Sequence, residues 1–349
     1  MLSSLLHAPP PSFLSVSPSR LLSKHNAARP SMAATSARIA VVGDVHDQWN
    51  LEEDTKALQF LQPDLVLFTG DFGEENIELV RSVANLEFAK AVILGNHDAW
   101  HTKKFSGKKK DGVQLQLECL GEDHVAYQCL DFPMVKLSIV GGRPFSSGGK
   151  QLFRLKLLSA RYGVQDMDGS AKRICNAAMG APEDHMVIIL AHNGPTGLGS
   201  NLDDICGKDW VSGGGDHGDA DLAQALSLIK ENGKFCVPLV VFGHMHKKLA
   251  DGNGLRKMIV VGADNTIYLN GAIVPRVKRL NDEQGAGNTS FVTNEPHLTT
   301  PPKSCGTIRA FTLVEILDRG VDRIVETWVS VVGDQTKLEE EHILFKSGS

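Results

Sequence analysis

Eight polar residues capable of metal and phosphate chemistry fall into five short motifs, and each motif directly follows an apolar run. They are Asp44 and His46 in Gly43-Asp44-Val45-His46, Asp71 after Gly70, and Asn96 and His97 in Gly95-Asn96-His97-Asp98. His192 stands in Ala191-His192-Asn193, and His244 and His246 in Gly243-His244-Met245-His246. Carboxylates, imidazoles and a carboxamide delivered from the ends of successive strands suit a pair of divalent cations that activate water against a phosphate. The apolar runs must therefore be strands that end at one common edge.

The residue types divide naturally among the tasks. Water is a poor nucleophile at neutral pH and a phosphate ester is already anionic, so the site must lower the water's pKa and neutralise charge. Two cations about 3.5–4 Å apart do both. Asp44 and His46, two apart on a strand exit, can turn toward one ion; Asp71 can bridge; Asn96 offers a neutral oxygen; His192, His244 and His246 supply imidazoles. His97 is left free of metal to give a proton to the leaving oxygen, and Asp98 is expected to orient it by accepting its other N–H. Gly95 and Gly243 are expected to let the backbone turn sharply enough to expose several polar side chains together. Mn²⁺, Fe and Zn²⁺ all suit such nitrogen and oxygen ligands.

The runs Arg38–Val42, Asp64–Phe68, Ala91–Leu94, Met186–Leu190 and Pro238–Phe242 lack alternation, as strands covered on both faces do. Between the first two, Asn50 to Leu61 reads as a helix capped by Asn50 with Glu53 and stopped by Pro63. Between the second and third, Glu74 to Leu86 puts Ile77, Val80 and Val83 on one stripe. The pattern is βαβαβ. Asp221 to Lys230 is a third helix, closed by Asn232-Gly233. Tyr127–Leu130, Lys136–Val140, Met258–Val261, Thr266–Leu269, Thr307–Ile316 and Arg323–Val332 read as further strands, several of them antiparallel. Arg276 to Ser304 lacks periodicity and reads as a long loop or insertion, and residues 336–349 as a polar tail.

The ordered set GDVHD, GDF, GNHD, AHNG and GHMH resembles the calcineurin-like metallophosphoesterase superfamily over nearly all of Arg38 to Val332. The resemblance implies an α/β fold, a four-layer sandwich of two mixed β-sheets flanked by α-helices, in one catalytic domain spanning 37–335. It implies Asp44, His46, Asp71 and His246 around one ion and Asp71, Asn96, His192 and His244 around the other. His97 becomes the proton donor or a phosphate contact. The chain departs from the serine/threonine protein phosphatase branch, which continues its second motif to Arg-Gly and has Glu after GNH; here Phe72-Gly73 and Asp98 stand instead.

Other features are open to two readings. Arg143, after the apolar run Leu137 to Val140, either holds a substrate phosphate by its planar fork or is a turn residue facing solvent. His217, between Asp216 and Gly218, is an extra ligand or, as favoured here, part of a loop leading into a helix capped by Asp219. The lysines at 103, 104, 108, 109 and 110 read as a solvated loop rather than a steering patch.

Residues 1–36 contain no Asp or Glu, are rich in Ser, Ala and Pro, and carry Arg20, Lys24 and Arg29. This is the composition of an organelle transit peptide, with the chloroplast favoured over the mitochondrion because hydroxylated residues outnumber Arg. Losing those three cations takes the formal net charge from −5 to −8, which argues against bulk nucleic-acid binding. No apolar run is long enough to cross a bilayer. The six cysteines are scattered with no CxxC pair, as in a reducing compartment. A phosphoester is therefore the expected partner. A non-catalytic module that keeps such a fold for binding is the competing reading.

Overall fold

A computed structural model describes residues 36–280 and 306–348. The leader, apart from Ser36, and residues 281–304 of the expected insertion lie outside them.

The first half forms the anticipated alternation. β1 (Ser36–Val42), α1 (Leu51–Leu61), β2 (Leu65–Phe68), α2 (Ile77–Ala84) and β3 (Lys90–Val92) follow in order, and the three strands pair in parallel. Both helices begin where an Asn side chain accepts a free amide: Asn50 from Glu53 N at 3.1 Å, Asn76 from Leu79 N at 3.1 Å. The α1 cap is not reciprocal. Asp54, not Glu53, returns a carboxylate to the Asn50 N–H at 2.9 Å, while Glu53 turns to Arg309. The second helix starts later than the acidic run suggested, and it buries Leu79 with Val80 and Val83 in place of Ile77.

Three helices were not anticipated: α3 (Gly112–Leu120), α4 (Leu155–Tyr162) and α5 (Met167–Met179). The buried stripe of α5 is Ser170, Ala171, Ile174, Cys175 and Ala178, too weakly apolar to stand out as a period. α6 (Ala220–Asn232) closes on Gly233 with a left-handed φ of 64°, as the Asn-Gly pair implied.

Two mixed sheets carry the fold. β11 (Thr307–Leu317), β12 (Gly320–Val332) and β13 (Gln335–Lys346) extend the first sheet in the order β13-β12-β11-β1-β2-β3, with β10 (Val277–Arg279) also pairing with β11. The second sheet comprises β4 (Cys129–Phe132), β5 (Leu137–Gly141), β6 (Met186–Leu190), β7 (Leu239–Phe242), β8 (Ile259–Val261) and β9 (Ile267–Asn270), in the order β4-β5-β6-β7-β9-β8. β5, β6, β7 and β9 are parallel, and antiparallel strands occur only at its edges. One apolar cluster joins Ile39, Leu67 and Phe68 of the first sheet to Ile188, Val240 and Phe242 of the second. The fold class is thus the expected one.

Two boundaries are corrected. Residues 336–346 are not a loose tail, because they belong to β13, which pairs along most of β12. Their charges misled: β13 is an edge strand, most of whose side chains stand exposed, where Lys and Glu are the usual occupants. Likewise the segment from Arg276 is not wholly loop, since Val277–Arg279 pairs with β11. Arg276 itself is buried, donating to Asp54 at 2.8 Å. Among the described residues five cysteines are free, and no helix is long and apolar enough to cross a membrane.

Candidate metal centre

Each of the five motifs leaves the carboxyl end of a parallel strand. Asp44 and His46 follow β1, Asp71 follows β2, and Asn96 and His97 follow β3. His192 follows β6, and His244 and His246 follow β7. The first sheet therefore contributes four of the seven expected ligands and the second sheet three.

Their donor atoms converge in two groups, Asp44 with His46 and His246, and Asp71 with His192 and His244. Within each group the donors lie within 4.8 Å of one another. In the first, the Nε2 atoms of His46 and His246 are 2.9 Å apart, and Asp44 Oδ2 is 3.6 Å from His246 Nε2. In the second, His192 Nε2 is 3.5 Å from Asp71 Oδ1 and 3.0 Å from Asn96 Oδ1. Two imidazole nitrogens that close can share only one proton between them; a cation would accept both lone pairs. The donor set thus fits divalent metal.

Backbone geometry shows how the ligands are aimed. Asp44, His46, Asp71 and His244 all have φ between 37° and 68°, a left-handed region that non-glycine residues rarely occupy and which costs about 1–3 kcal/mol each. The sharp turns fall on the ligands themselves rather than on Gly95 and Gly243, which corrects the expected role of those glycines. They are needed for closeness instead. A Cβ at Gly95 would stand 2.2 Å from Asp71 Oδ1 and 2.4 Å from His192 Cε1, and one at Gly243 would stand 2.2 Å from Asp44 Oδ1.

Hydrogen bonds then hold the ligands in place. His192 Nδ1 is 2.7 Å from the Thr69 carbonyl oxygen, so it carries the proton and leaves the Nε2 lone pair facing Asp71 and Asn96. Asp44 accepts from His244 N at 3.0 Å and from Thr69 Oγ1 at 3.2 Å. Asp71 Oδ1 accepts from His97 N at 2.9 Å.

Burial sets the charges. It pushes the Asp44 carboxyl up to about 7 and that of Asp71 up to about 6, although the His192 imidazole beside Asp44 and the His97 imidazole beside Asp71 oppose the rise. Burial and the neighbouring imidazoles pull His46 down to about 3 and His246 to about 4, and His244 well below its ordinary value. The imidazoles are therefore neutral ligands over the whole physiological range.

Two expected site residues do something else. Asp98 does not orient His97; no hydrogen bond joins it to that ring. Its buried carboxylate accepts from Gly95 N at 2.7 Å, Asp71 N at 2.8 Å and Phe72 N at 2.9 Å, tying the exits of β2 and β3 together. His97 instead lies face to face with Trp100, with ring centres 4.8 Å apart. Arg143 neither faces solvent nor reaches the site. It is buried, donating to Asp221 at 2.8 Å and pairing with Asp219 at 2.8 Å. That pairing also explains why Asp219 does not cap α6 with its side chain: its Oδ1 accepts from Ser146 at 2.7 Å.

A cavity of about 380 Å³ opens over the centre, lined in part by Asp71, Asn96, His97, His244 and His246. Its remaining wall was not anticipated and includes Asp209, Trp210, Lys248 and Arg256. His217, flagged in the sequence without a role in the site, lines it too, its ring 5.8 Å from that of His244. The signal that could have marked this wall is the short-range cluster Asp209-Trp210 followed by the Gly-rich stretch before His217.

Residues 37–248 match the calcineurin-like phosphoesterase family, and the chain belongs to it. No curated protein matches the sequence. Among solved structures, the chain is similar to a dimetal phosphatase from Danio rerio, at 12% identity and a TM-score of 0.44, over 89% of this chain and 99% of that one. A conserved uncharacterized protein from Streptococcus pneumoniae TIGR4, described as a predicted phosphoesterase, is similar at 12% identity and a TM-score of 0.31, over 88% and 98%.

Proposed function

We propose that this chain hydrolyses a phosphomonoester or phosphodiester at a dinuclear metal centre. The observation that carries the reading is the convergence of six side chains from two sheets into two donor groups, with Asn96 Oδ1 3.0 Å from His192 Nε2, beside one cavity. Asp44, His46, Asp71 and His246 would hold one ion, and Asp71, Asn96, His192 and His244 the other, Mn, Fe or Zn suiting either place. When bound, the pair lowers the pKa of water and neutralises the phosphoryl charge.

The protein's own groups do the rest. Neutral imidazoles would present lone pairs without first losing a proton, and Asp44 and Asp71 would serve as carboxylates, the form that burial disfavours and a cation would favour. Thr69 and Asp98 keep the ligands aimed before substrate arrives, so little reorganisation is left for the reaction. His97 makes no contact that would tie its ring to a carboxylate, and it faces the cavity. It donates the proton that the leaving oxygen takes as the P–O bond breaks.

The test is metal analysis of the full chain with turnover of an aryl phosphate in Mn²⁺, for the wild type, Asp71→Ala and His244→Ala. We expect close to two ions per chain and loss of metal and turnover together in both variants. Full turnover by both variants would end the assignment, and bound metal without turnover on a broad phosphoester panel would favour the binding module.

The leader composition supports a second reading, that residues 1–36 direct the chain to the chloroplast stroma and that the chain resembles plant and cyanobacterial members of this superfamily, with the mitochondrion as alternative. Fused to a fluorescent reporter, they should carry it into plastids. A cytosolic reporter would refute this.

A further inference from the structure

The cavity is larger than a phosphate needs, and one wall of it carries an aromatic side chain on a loop held in place. That wall is the loop from Cys206 to His217, a hairpin closed by His217 N to Cys206 O at 2.9 Å, Lys208 N to Gly215 O at 2.9 Å and Gly214 N to Val211 O at 2.9 Å. Trp210 sits at its tip, 55% exposed, and lines the cavity together with Asp71, Asn96 and His97.

The loop is anchored rather than free. Arg256, 4% exposed, donates to the carbonyl oxygens of Asp204 at 2.8 Å and Gly207 at 2.7 Å, and pairs with Asp209 at 3.0 Å. Through its Nε it also donates to the carbonyl oxygen of His246 at 3.0 Å, so one guanidinium joins the loop to a metal ligand. The indole itself meets His217 edge to face, with ring centres 4.9 Å apart and planes at 86°. His217 in turn lies nearly parallel to His244, at 24°.

A fixed, half-exposed indole two ring contacts from a metal ligand has no work to do for the phosphoryl group, which carries only charge and oxygen. It does suit what is attached to that group. The indole is linked to His244 by ring contacts of 4.9 Å to His217 and 5.8 Å from His217, and a planar ring set against it gains dispersion and quadrupole attraction that a puckered one of equal size does not. We propose that the substrate is a phosphoester whose alcohol portion carries a planar aromatic or heteroaromatic ring, and that Trp210 is the residue that selects it. The proposal rests on the phosphoesterase reading and adds a substrate class to it.

Leaving-group acidity would confound a comparison of turnover, so the test is binding of inert phosphonates. The full Mn²⁺-loaded chain is titrated calorimetrically with benzylphosphonate and with cyclohexylmethylphosphonate, which match in charge and carbon count and differ in planarity. We expect the planar ligand to bind about tenfold more tightly. Trp210→Ala should bring the two dissociation constants together, and Trp210→Phe should restore most of the difference. A nucleoside phosphonate forms a further arm: tighter binding than benzylphosphonate points to a nucleobase, weaker binding to a simple aryl group, and either should exceed the cyclohexyl ligand. Equal affinities in the wild type, or a preference that Trp210→Ala leaves intact, overturns the proposal. If aryl phosphates are still hydrolysed in that case, only the substrate class has failed; if no ester is cleaved and neither phosphonate binds, the phosphoesterase reading has failed with it.

Discussion

Asp98 and Arg143 show how a buried charge can support a site without touching substrate. Both carboxylate oxygens of Asp98 are taken by backbone amides, and burial with the Asp71 carboxylate nearby holds its pKa well above the ordinary range. Asp98→Asn would set an amide N–H₂ against at least one backbone donor. We expect metal affinity to fall by about 10- to 100-fold and unfolding free energy by roughly 3 kcal/mol, read by metal titration and urea denaturation; unchanged metal affinity would show that the clamp does not aim the ligands. For Arg143→Met the expectation is different. Asp219 and Asp221 would be left buried without their cation, which costs roughly 3–5 kcal/mol, while the Michaelis constant of the folded fraction for a phosphate ester stays at the wild-type value. A raised constant with intact stability would return Arg143 to the site.

Among the elements, the segment after β3 and the edge strand β13 carry consequences of their own. His124 bridges to Val92 of β3, and its Nε2 accepts from Leu94 N at 3.4 Å. Burial, then the charge of Arg161, pulls its pKa from 6.5 to about 3. The folded state therefore binds this proton less readily than the unfolded chain. The stability it confers is complete above pH 6.5 and is lost as the pH falls toward 3. His124→Gln, which cannot titrate, should lose stability less steeply than the wild type between pH 6 and 4, by roughly 1 kcal/mol per pH unit in urea melts. Parallel slopes would exclude His124 as a source of acid sensitivity. At the other edge, deleting residues 336–349 would expose the hydrogen-bonding edge of β12, the strand that buries Trp328 and Val329. An uncovered edge templates pairing with another chain, so light scattering should show more self-association than in the full chain.

At the scale of the whole molecule, the proposed ligands span both sheets, so metal binding would be linked to folding. An ion held by Asp71 of the first sheet and by His192 and His244 of the second is bound only when the sheets are assembled. Metal at a hundred times its dissociation constant should raise the unfolding free energy by about 2.7 kcal/mol, seen as a higher melting temperature that chelator reverses. Asp71→Ala should abolish that shift. A shift that persists in the variant would place the stabilising ion elsewhere.

The five strands before the motifs, the helices α1, α2 and α6, and the side chains that converge at the strand exits were legible in the amino-acid order. They rest on local properties: unbroken apolar runs such as Met186–Leu190, an Asn at the start of a helix, and metal-binding side chains at strand exits. The helix α5 was not legible, because a stripe of Ser, Ala and Cys buries well but carries little hydrophobic signal. β13 was not, because the face of an edge strand that meets water reads as a polar tail. The partners of Asp98 and Arg143 were beyond reach for another reason, since Arg143 meets Asp221 across 78 residues of sequence. What the sequence determined by itself was which chemistry is present and at which strand ends it emerges. Only the tertiary structure decided which charges pair with each other, and that an indole lines the cavity beside the centre, because such neighbours are set by how the two sheets and the 206–217 loop come together.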